Sequence, residues 1–337
     1  AFTRYITNPA PGPFVIKGYS GTGKSTLVET LLDHLNGIMK TAKLINPDKF
    51  VDREVLLTAT TNQAADMFSK ITGKQVCTIQ SMLGLRVHKD YSTGKTKLVP
   101  RSGVDKVRNK ILIIDEASYM DRHLMKFVFN RTDNCKIVFI GDPAQLLNVG
   151  SSQAPVFNAN FPTVELTEVV RQAKDNPIVD LSTKFRGTVN SGEFFSFKPD
   201  GHHIQYLDRD AFEDAIFKEF DDPDWHHYRS KVLAWTNHTV IVYNKAIRDH
   251  VKGNPEIHKD DFVVCNHFIK SGRHTFKTDQ LVRVTGKQPP MDNNGVTGSW
   301  YMLDNCAEVF MPDDWSVGKQ RLKKARNDDE WELVRLI

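Results

Sequence analysis

Cysteine is sparse and scattered: Cys77, Cys135, Cys265 and Cys306 stand far apart and form no C-x-x-C pair. This excludes a disulfide framework and a zinc site of the paired-cysteine kind, and it suits reduced thiols in a cytosolic protein. No apolar run approaches the roughly eighteen residues that a membrane span needs, so no membrane partner is expected. The amino end lacks the charged, apolar and small-residue pattern of a signal peptide. Repeats and low-complexity tracts are absent as well. The twelve histidines are dispersed, with His202-His203 and His226-His227 reading as loop surface, and no structural metal is expected. Charge of either sign is in little excess, +4 over 337 residues, which permits a polyanionic partner without requiring one. Apolar residues at 40% and charged residues at 26% are ordinary for a globular chain long enough for two domains.

Against this background one segment stands out. Gly18-Tyr19-Ser20-Gly21-Thr22-Gly23-Lys24-Ser25-Thr26 completes the pattern G-x-x-x-x-G-K-[ST] between the apolar run Phe14-Val15-Ile16 and the helical pattern Leu27, Leu31, Leu32, Leu35. A strand, a glycine-rich loop and a helix in that order make a nucleotide site. Its glycines let successive N–H groups point at phosphate oxygens, and the helix adds the positive end of its dipole. Gly18, Gly21, Thr22, Gly23 and Thr26 then shape the cradle. Lys24 sits on the β- and γ-phosphates and Ser25 on Mg²⁺. ATP or GTP is the expected nucleotide.

Short apolar runs alternate with helical patterns through the first 172 residues. Strands are expected near 14–17, 55–59, 111–114, 136–140 and 163–166, and helices near 25–35, 62–71 and 122–130. Such alternation implies a mainly parallel sheet covered on both faces, with ligands at the carboxyl ends of its strands. The stretch 84–110 interrupts it. There the Ser92-Thr93-Gly94 turn between residues of strand type reads as a β-hairpin. This stretch is also basic, with Lys89, Lys95, Lys97, Arg101, Lys106, Arg108 and Lys110. Further on, Pro177 opens a helix capped by Asp175 or Asn176, and Asp210 opens another carrying Phe212, Ile216, Phe217 and Phe220. Val232-Leu233-Ala234-Trp235 reads as a strand before a helix from Thr239 to about Val251. From Gly286 the texture turns to short runs and Asn293-Asn294-Gly295, which suits a small β-rich insert. The chain stops at Val334-Arg335-Leu336-Ile337, inside what reads as a strand, and the basic run from Lys319 to Arg326 reads as a solvated face.

Ile111-Leu112-Ile113-Ile114-Asp115-Glu116 is an apolar strand ending in two carboxylates, the partner that a phosphate-binding loop requires. Asp115 is placed to hold Mg²⁺ through water and Glu116 to orient and deprotonate an attacking water, which favours hydrolysis. Val138-Phe139-Ile140-Gly141-Asp142-Pro143-Ala144-Gln145-Leu146 is a neighbouring strand running into a polar turn. Gln145 is neutral and long enough to touch the γ-phosphate and report whether nucleotide is intact.

Together with Leu166-Thr167-Glu168-Val169-Val170-Arg171-Gln172, these segments resemble, in order and spacing, motifs I to IV of superfamily 1 DNA helicases. The likeness is to the RecD-like branch (superfamily 1B), and within it to the phage Dda-type helicases. Thr58-Ala59-Thr60-Thr61-Asn62 resembles motif Ia. Cys77-Thr78-Ile79-Gln80-Ser81-Met82-Leu83 resembles the T-I-H-S-L segment, with Gln80 in place of His. Ala234-Trp235-Thr236-Asn237 with Asn244 resembles an A-[FY]-T-N element of the second motor domain. The resemblance implies that Arg171 reaches the γ-phosphate as an arginine finger. It also implies that Thr60, Thr61, Asn62, Thr78, Ser81 and Asn237 contact single-stranded DNA. The hairpin near 87–99 matches the position of the pin that splits duplex, with Lys89 and Lys95 toward phosphates and Tyr91 its only aromatic residue.

The fold class expected is α/β: a P-loop NTPase with RecA-like parallel sheets and helices on both faces, a β-hairpin insert and a small β-rich insert. The first motor domain covers 1–172 with the insert at 84–110, part of the second covers 173–285, and 286–337 begins a truncated SH3-like insert. The family's adenine-reading glutamine falls ahead of Ala1, and motifs V and VI are not found before Ile337, so the chain reads as a fragment with weak activity. The function expected is an ATP-dependent DNA helicase moving 5′ to 3′ on single strands and unwinding duplex. The alternatives are an RNA-directed helicase and a nucleotide-gated single-stranded DNA clamp that does not unwind. ATP and Mg²⁺ are the expected cofactors, single strands and duplex forks the partners, and replication proteins candidate partners. The protein is expected to be monomeric and cytoplasmic, in a host cytoplasm if phage-encoded.

Overall fold

The computed structural model describes residues 1–8, 10–89, 96–145, 154–168, 176–226, 229–254, 256–265, 269–271, 273–278, 280–304 and 307–327. The chain divides into two compact units, 1–198 and 199–337. The first unit runs α1 (Phe2–Thr7), β1 (Gly12–Gly18), α2 (Lys24–Ile45), β2 (Glu54–Ala59), α3 (Asn62–Thr72), β3 (Val76–Thr78) and α4 (Ile79–Met82). It continues through β4 (Leu85–Lys89), β5 (Thr96–Pro100), β6 (Val107–Arg108), β7 (Lys110–Asp115), α5 (Arg122–Arg131), β8 (Thr132–Asp133) and β9 (Lys136–Gly141). It closes with α6 (Pro155–Asn158), β10 (Thr163–Leu166) and α7 (Pro177–Ser191).

Six strands make one wholly parallel sheet in the order β10-β1-β9-β7-β2-β3. Its central strands are continuous apolar runs because both of their faces are covered. Phe14, Ile16, Ile111, Ile113, Val138 and Ile140 point to one face, where they pack with Ile6 of α1, Val28 and Leu35 of α2 and Phe68 of α3. Val15, Leu112, Ile114, Ile137 and Phe139 alternate to the other, with Ile79 of α4, Leu124 and Val128 of α5 and Val156 of α6. Helix α2 outruns the expected end near 35, because Ile38, Met39 and Ala42 continue the apolar stripe onto that core.

Strands β4 and β5 form the expected antiparallel hairpin, Leu85 opposite Pro100 through Lys89 opposite Thr96. Its Ser92-Thr93-Gly94 turn lies outside the described residues. Arg131, the last residue of α5, grips the hairpin's base on both sides: Nε donates to Leu83 O at 2.8 Å and Nη2 to Val104 O at 2.5 Å.

On the face of the sheet that α1 covers, Lys136 begins β9 only 1% exposed. Its ammonium donates to the carbonyls of Tyr5 at 2.7 Å and Ala10 at 2.9 Å and lies 4.5 Å from the Tyr5 ring centre. The buried cation thus ties α1 to the sheet by oxygens that its last turn and the following loop leave unpaired.

The second unit contains α8 (Arg209–Phe220), α9 (Asn237–Lys252), β11 (Phe262–Val264), β12 (Ile269–Ser271), β13 (His274–Phe276), β14 (Leu281–Lys287), β15 (Met291–Asp292), β16 (Thr297–Leu303), β17 (Glu308–Pro312) and α10 (Trp315–Asn327). Its described strands pair antiparallel, in the order β11-β14-β16-β15 with β17 on β16 and β12 with β13. Phe276, Val282, Val284, Tyr301 and Leu303 form its core. These strands begin at Phe262, upstream of the change of texture at Gly286.

Two local expectations are corrected. Val232–Trp235 is not a strand: Leu233 is 89% and Trp235 94% exposed, and no described strand lies alongside to pair with it. The helix expected from Asp210 is capped by Asp208, whose carboxylate accepts from the Ala211 N–H at 2.9 Å, the shorter reach for an N-cap. The expected strand at Val334–Ile337 lies outside the described residues. No helix among the described residues is long and apolar enough to cross a membrane, and Cys77, Cys135 and Cys265 are free thiols.

Candidate nucleotide site and nucleic-acid contacts

The strand order sets β9 between β1 and β7, so the loops leaving these three strands are neighbours. From β1 the chain turns through Gly21 at φ +82° and Gly23 at φ +79° into the first residue of α2, Lys24. Both are left-handed conformations that only glycine adopts without strain. The Thr22 hydroxyl closes the loop by donating to Tyr19 O at 2.7 Å. Lys24 Nζ bends back onto Gly18 O at 2.7 Å and Tyr19 O at 2.9 Å, so its ammonium lies across the loop.

From β9 comes Asp142, 3% exposed. Its Oδ2 accepts from the Ser20 N–H at 2.7 Å and its Oδ1 from the Ala144 N–H at 2.9 Å. One carboxylate thereby fixes both the phosphate loop and the turn that carries Gln145. Gln145 Oε1 in turn accepts from the Ser118 hydroxyl at 3.4 Å, a link between the β9 and β7 loops.

From β7 come Asp115 and Glu116. Glu116 is held at φ +53°, ψ +41°, a left-handed conformation that costs a non-glycine residue about 1 kcal/mol or more. Its Oε2 is buried with no hydrogen-bond partner among the described residues. Burial raises the proton affinity of Asp115, against the backbone N–H of Glu116 and the charge of Lys24. Burial raises that of Glu116 as well, reinforced by Asp115 and Asp142 and opposed by Lys24. A carboxylate with a raised proton affinity is a better general base near neutral pH. Among the described residues no three His, Cys, Asp or Glu side chains are grouped to hold a metal ion.

Sequence reasoning therefore names Lys24, Asp115, Glu116 and Gln145 from loops that the fold sets side by side. Arg171 lies outside the described residues. Sequence reasoning assigns Asp142 no role of its own within the motif-like polar turn after Ile140; the signal for one is its place at the end of an apolar strand, as for Asp115.

The first nucleic-acid candidates follow β2, which neighbours β7, and β3, which pairs with β2 at the sheet edge. Thr60 is turned inward, 6% exposed, and its hydroxyl donates to Glu116 O at 2.9 Å. Thr61 caps α3 by accepting from Ala64 N–H at 3.1 Å, and Asn62 is the half-buried first residue of that helix. Thr78 caps α4 by accepting from Ser81 N–H at 3.3 Å, and Ser81 is exposed. Lys89 pairs with Thr96 at the end of the hairpin, while Tyr91 and Lys95 lie outside the described residues. Asn237 begins α9 in the second unit and is exposed.

The family model of the AAA domain matches residues 3–207. The chain is 30% identical over 350 residues to the ATP-dependent DNA helicase dda of Enterobacteria phage T4, covering 94% of this chain and 73% of that protein. It belongs to the RecD-like superfamily 1B helicases, of Dda type. A second superfamily 1B relative is the ATP-dependent RecD2 DNA helicase of Deinococcus radiodurans, 28% identical over 170 residues, which are 50% of this chain and 21% of that one. Among solved structures, Bacteroides sp Pif1 in complex with ADP-AlF4 aligns with 92% of this chain and 72% of its own at a TM-score of 0.42 and 17% identity.

Proposed function

We propose that this superfamily 1B chain is an ATP-dependent DNA helicase that moves 5′ to 3′ on single strands and unwinds duplex. The observation that carries the reading is the meeting of three loops, in which Asp142 ties the phosphate loop to β9 while Lys24 acts electrostatically on Asp115 and Glu116. Lys24 would exchange the carbonyls of Gly18 and Tyr19 for β- and γ-phosphate oxygens, and Glu116 would take a proton from the attacking water. Gln145, tied to Ser118, would sense the γ-phosphate, and Arg171 would stabilise its charge.

The Ser25 hydroxyl and the Asp115 carboxylate suit Mg²⁺, since such oxygens are the hard ligands it takes. Ser25 and, through water, Asp115 would hold the ion. When bound it neutralises charge between the β- and γ-phosphates.

Thr61, Asn62, Thr78, Ser81 and Asn237 would track the backbone of a single strand, with Thr60 turned inward behind them, and the 87–99 hairpin, with Lys89, Tyr91 and Lys95, would meet the fork. In this reading 1–172 is the first motor domain, 173–285 belongs to the second and 286–337 to a β-rich insert. The protein would work as a monomer in the cytoplasm, a host's if phage-encoded, alongside replication proteins.

The test is ATP hydrolysis with single-stranded DNA, single-stranded RNA or neither, beside strand separation on a tailed duplex. Stimulation by DNA together with unwinding supports the reading. Stimulation by RNA alone makes it an RNA-directed enzyme, and tight nucleotide-dependent DNA binding without unwinding makes it a clamp. Lys24→Ala should abolish hydrolysis.

A further inference from the structure

Between the nucleic-acid segment after β3 and the catalytic glutamate runs an unbroken chain of hydrogen bonds. Gln80, in α4 between Thr78 and Ser81, donates through Nε2 to Thr60 O at 3.2 Å. Thr60 then donates through its hydroxyl to Glu116 O at 2.9 Å, and its N–H points to Asp115 O at 3.3 Å. The chain ends on the one residue of the β7 loop held in a left-handed conformation, Glu116. The remaining amide oxygen of Gln80, Oε1, is buried with no hydrogen-bond partner among the described residues, as is Glu116 Oε2. A buried unsatisfied acceptor costs about 1–3 kcal/mol, so each end of the chain holds an oxygen whose energy falls when a donor reaches it. A backbone carbonyl that accepts from a fixed donor also fixes the peptide plane it belongs to. Thr60 thus has its carbonyl set by Gln80 while its hydroxyl sets the peptide of Glu116.

We propose that Gln80 is the positioning residue through which polynucleotide on Thr78 and Ser81 sets the backbone of Glu116, and so couples strand binding to hydrolysis. This rests on the motor reading above, in which those two residues touch the strand. A strand that moves α4 shifts the Gln80 amide, Thr60 follows through its carbonyl, and the Glu116 peptide turns with the Thr60 hydroxyl. Gln80 itself touches neither nucleotide nor phosphate. An imidazole at this position also carries an N–H donor, so a Gln80→His variant keeps the link to Thr60, whereas Leu removes the donor and Asn falls short of it.

The experiment uses the 337-residue chain with Gln80→Leu, Gln80→Asn and Gln80→His, measuring ATP hydrolysis with and without a thymidine oligonucleotide, oligonucleotide affinity and melting temperature. In Gln80→Leu and Gln80→Asn the DNA-free rate and the DNA affinity should stay within about twofold of the parent while stimulation by DNA falls about tenfold, the size of a typical coupling between sites. The loss should fall on kcat and not on the KM for ATP, and Gln80→His should restore it. Stimulation kept by both Leu and Asn, a proportionate loss of DNA affinity, or a His variant as defective as Leu would overturn the proposal. A parent chain that hydrolyses no ATP under any condition sinks the motor reading itself, and that result needs no Gln80 variant.

Discussion

The Asp142 carboxylate accepts a hydrogen bond from the backbone N–H of Ser20 at 2.7 Å, across 122 positions of sequence. An anion therefore sits on an amide of the loop whose amides would face phosphate, and it holds that loop against the strand that carries Gln145. Asp142→Ala leaves the Ser20 and Ala144 N–H groups without their acceptor. The expected loss is about 1–3 kcal/mol of stability, read by denaturant unfolding, together with weaker nucleotide binding read by a fluorescent ATP analogue. Unchanged affinity would show that the loop keeps its shape without Asp142.

Glu116→Gln keeps shape and removes the charge. The Glu116 carboxyl has its proton affinity raised by burial and by Asp115, so ionising it costs the folded state more than the unfolded one. The contribution is most favourable below the unfolded pKa and is lost as pH rises through the folded one. The variant should therefore melt above the parent at pH 7, and the gain should vanish in acid. It should bind ATP and fail to turn it over. A parental rate would remove Glu116 from the role of base.

Gly141 ends β9 against the opposite loop. A Cβ there would lie 2.9 Å from Phe157 Cζ, 3.1 Å from Ser118 N and 3.2 Å from Ala117 N. The phenyl Cζ is the far end of a side chain, but the two backbone nitrogens belong to the segment after Glu116. Gly141→Ala should cost about 1–3 kcal/mol through overpacking and slow hydrolysis more than it weakens nucleotide binding, as single-turnover kinetics would reveal.

Arg131 joins the two sides of the hairpin's base through Leu83 O and Val104 O. Arg131→Ala should speed proteolysis between 84 and 105 while leaving DNA-stimulated ATP hydrolysis close to parental. Replacing 87–99 with a short Gly-Ser turn should likewise spare hydrolysis but sharply reduce strand separation. Equal loss of both activities would make the segment structural.

Burial patterns were legible wherever one short run of sequence decides them. Ile111–Ile114 and Ile137–Ile140 are apolar on both faces, and a parallel sheet between two helix layers accommodates such strands. Asp115 and Glu116 were legible because they follow such a run. Val232–Trp235 has the same texture but no described strand alongside, and apolarity alone does not name a partner. Asp142 and Gln80 escaped for a related reason. Their partners Ser20 and Thr60 lie 122 and 20 residues away, and a hydrogen bond at that range is written in the packing of strands and not in any local pattern. Lys136 was hidden likewise, since a lysine at the start of a strand reads as an exposed end.

That lysine gives the fold a chemical clock. Burial, with the nearby charge of Arg53, brings its pKa down to about 8, so much of it is the nucleophilic free amine in mildly alkaline buffer. The amine is 1% exposed and bound to the carbonyls of Tyr5 and Ala10, so an acylating reagent should reach it only when this contact opens. At reagent concentrations high enough that acylation outpaces reclosing, the rate of Lys136 acylation, followed by mass spectrometry beside exposed lysines, therefore counts the openings of this contact in the otherwise folded protein.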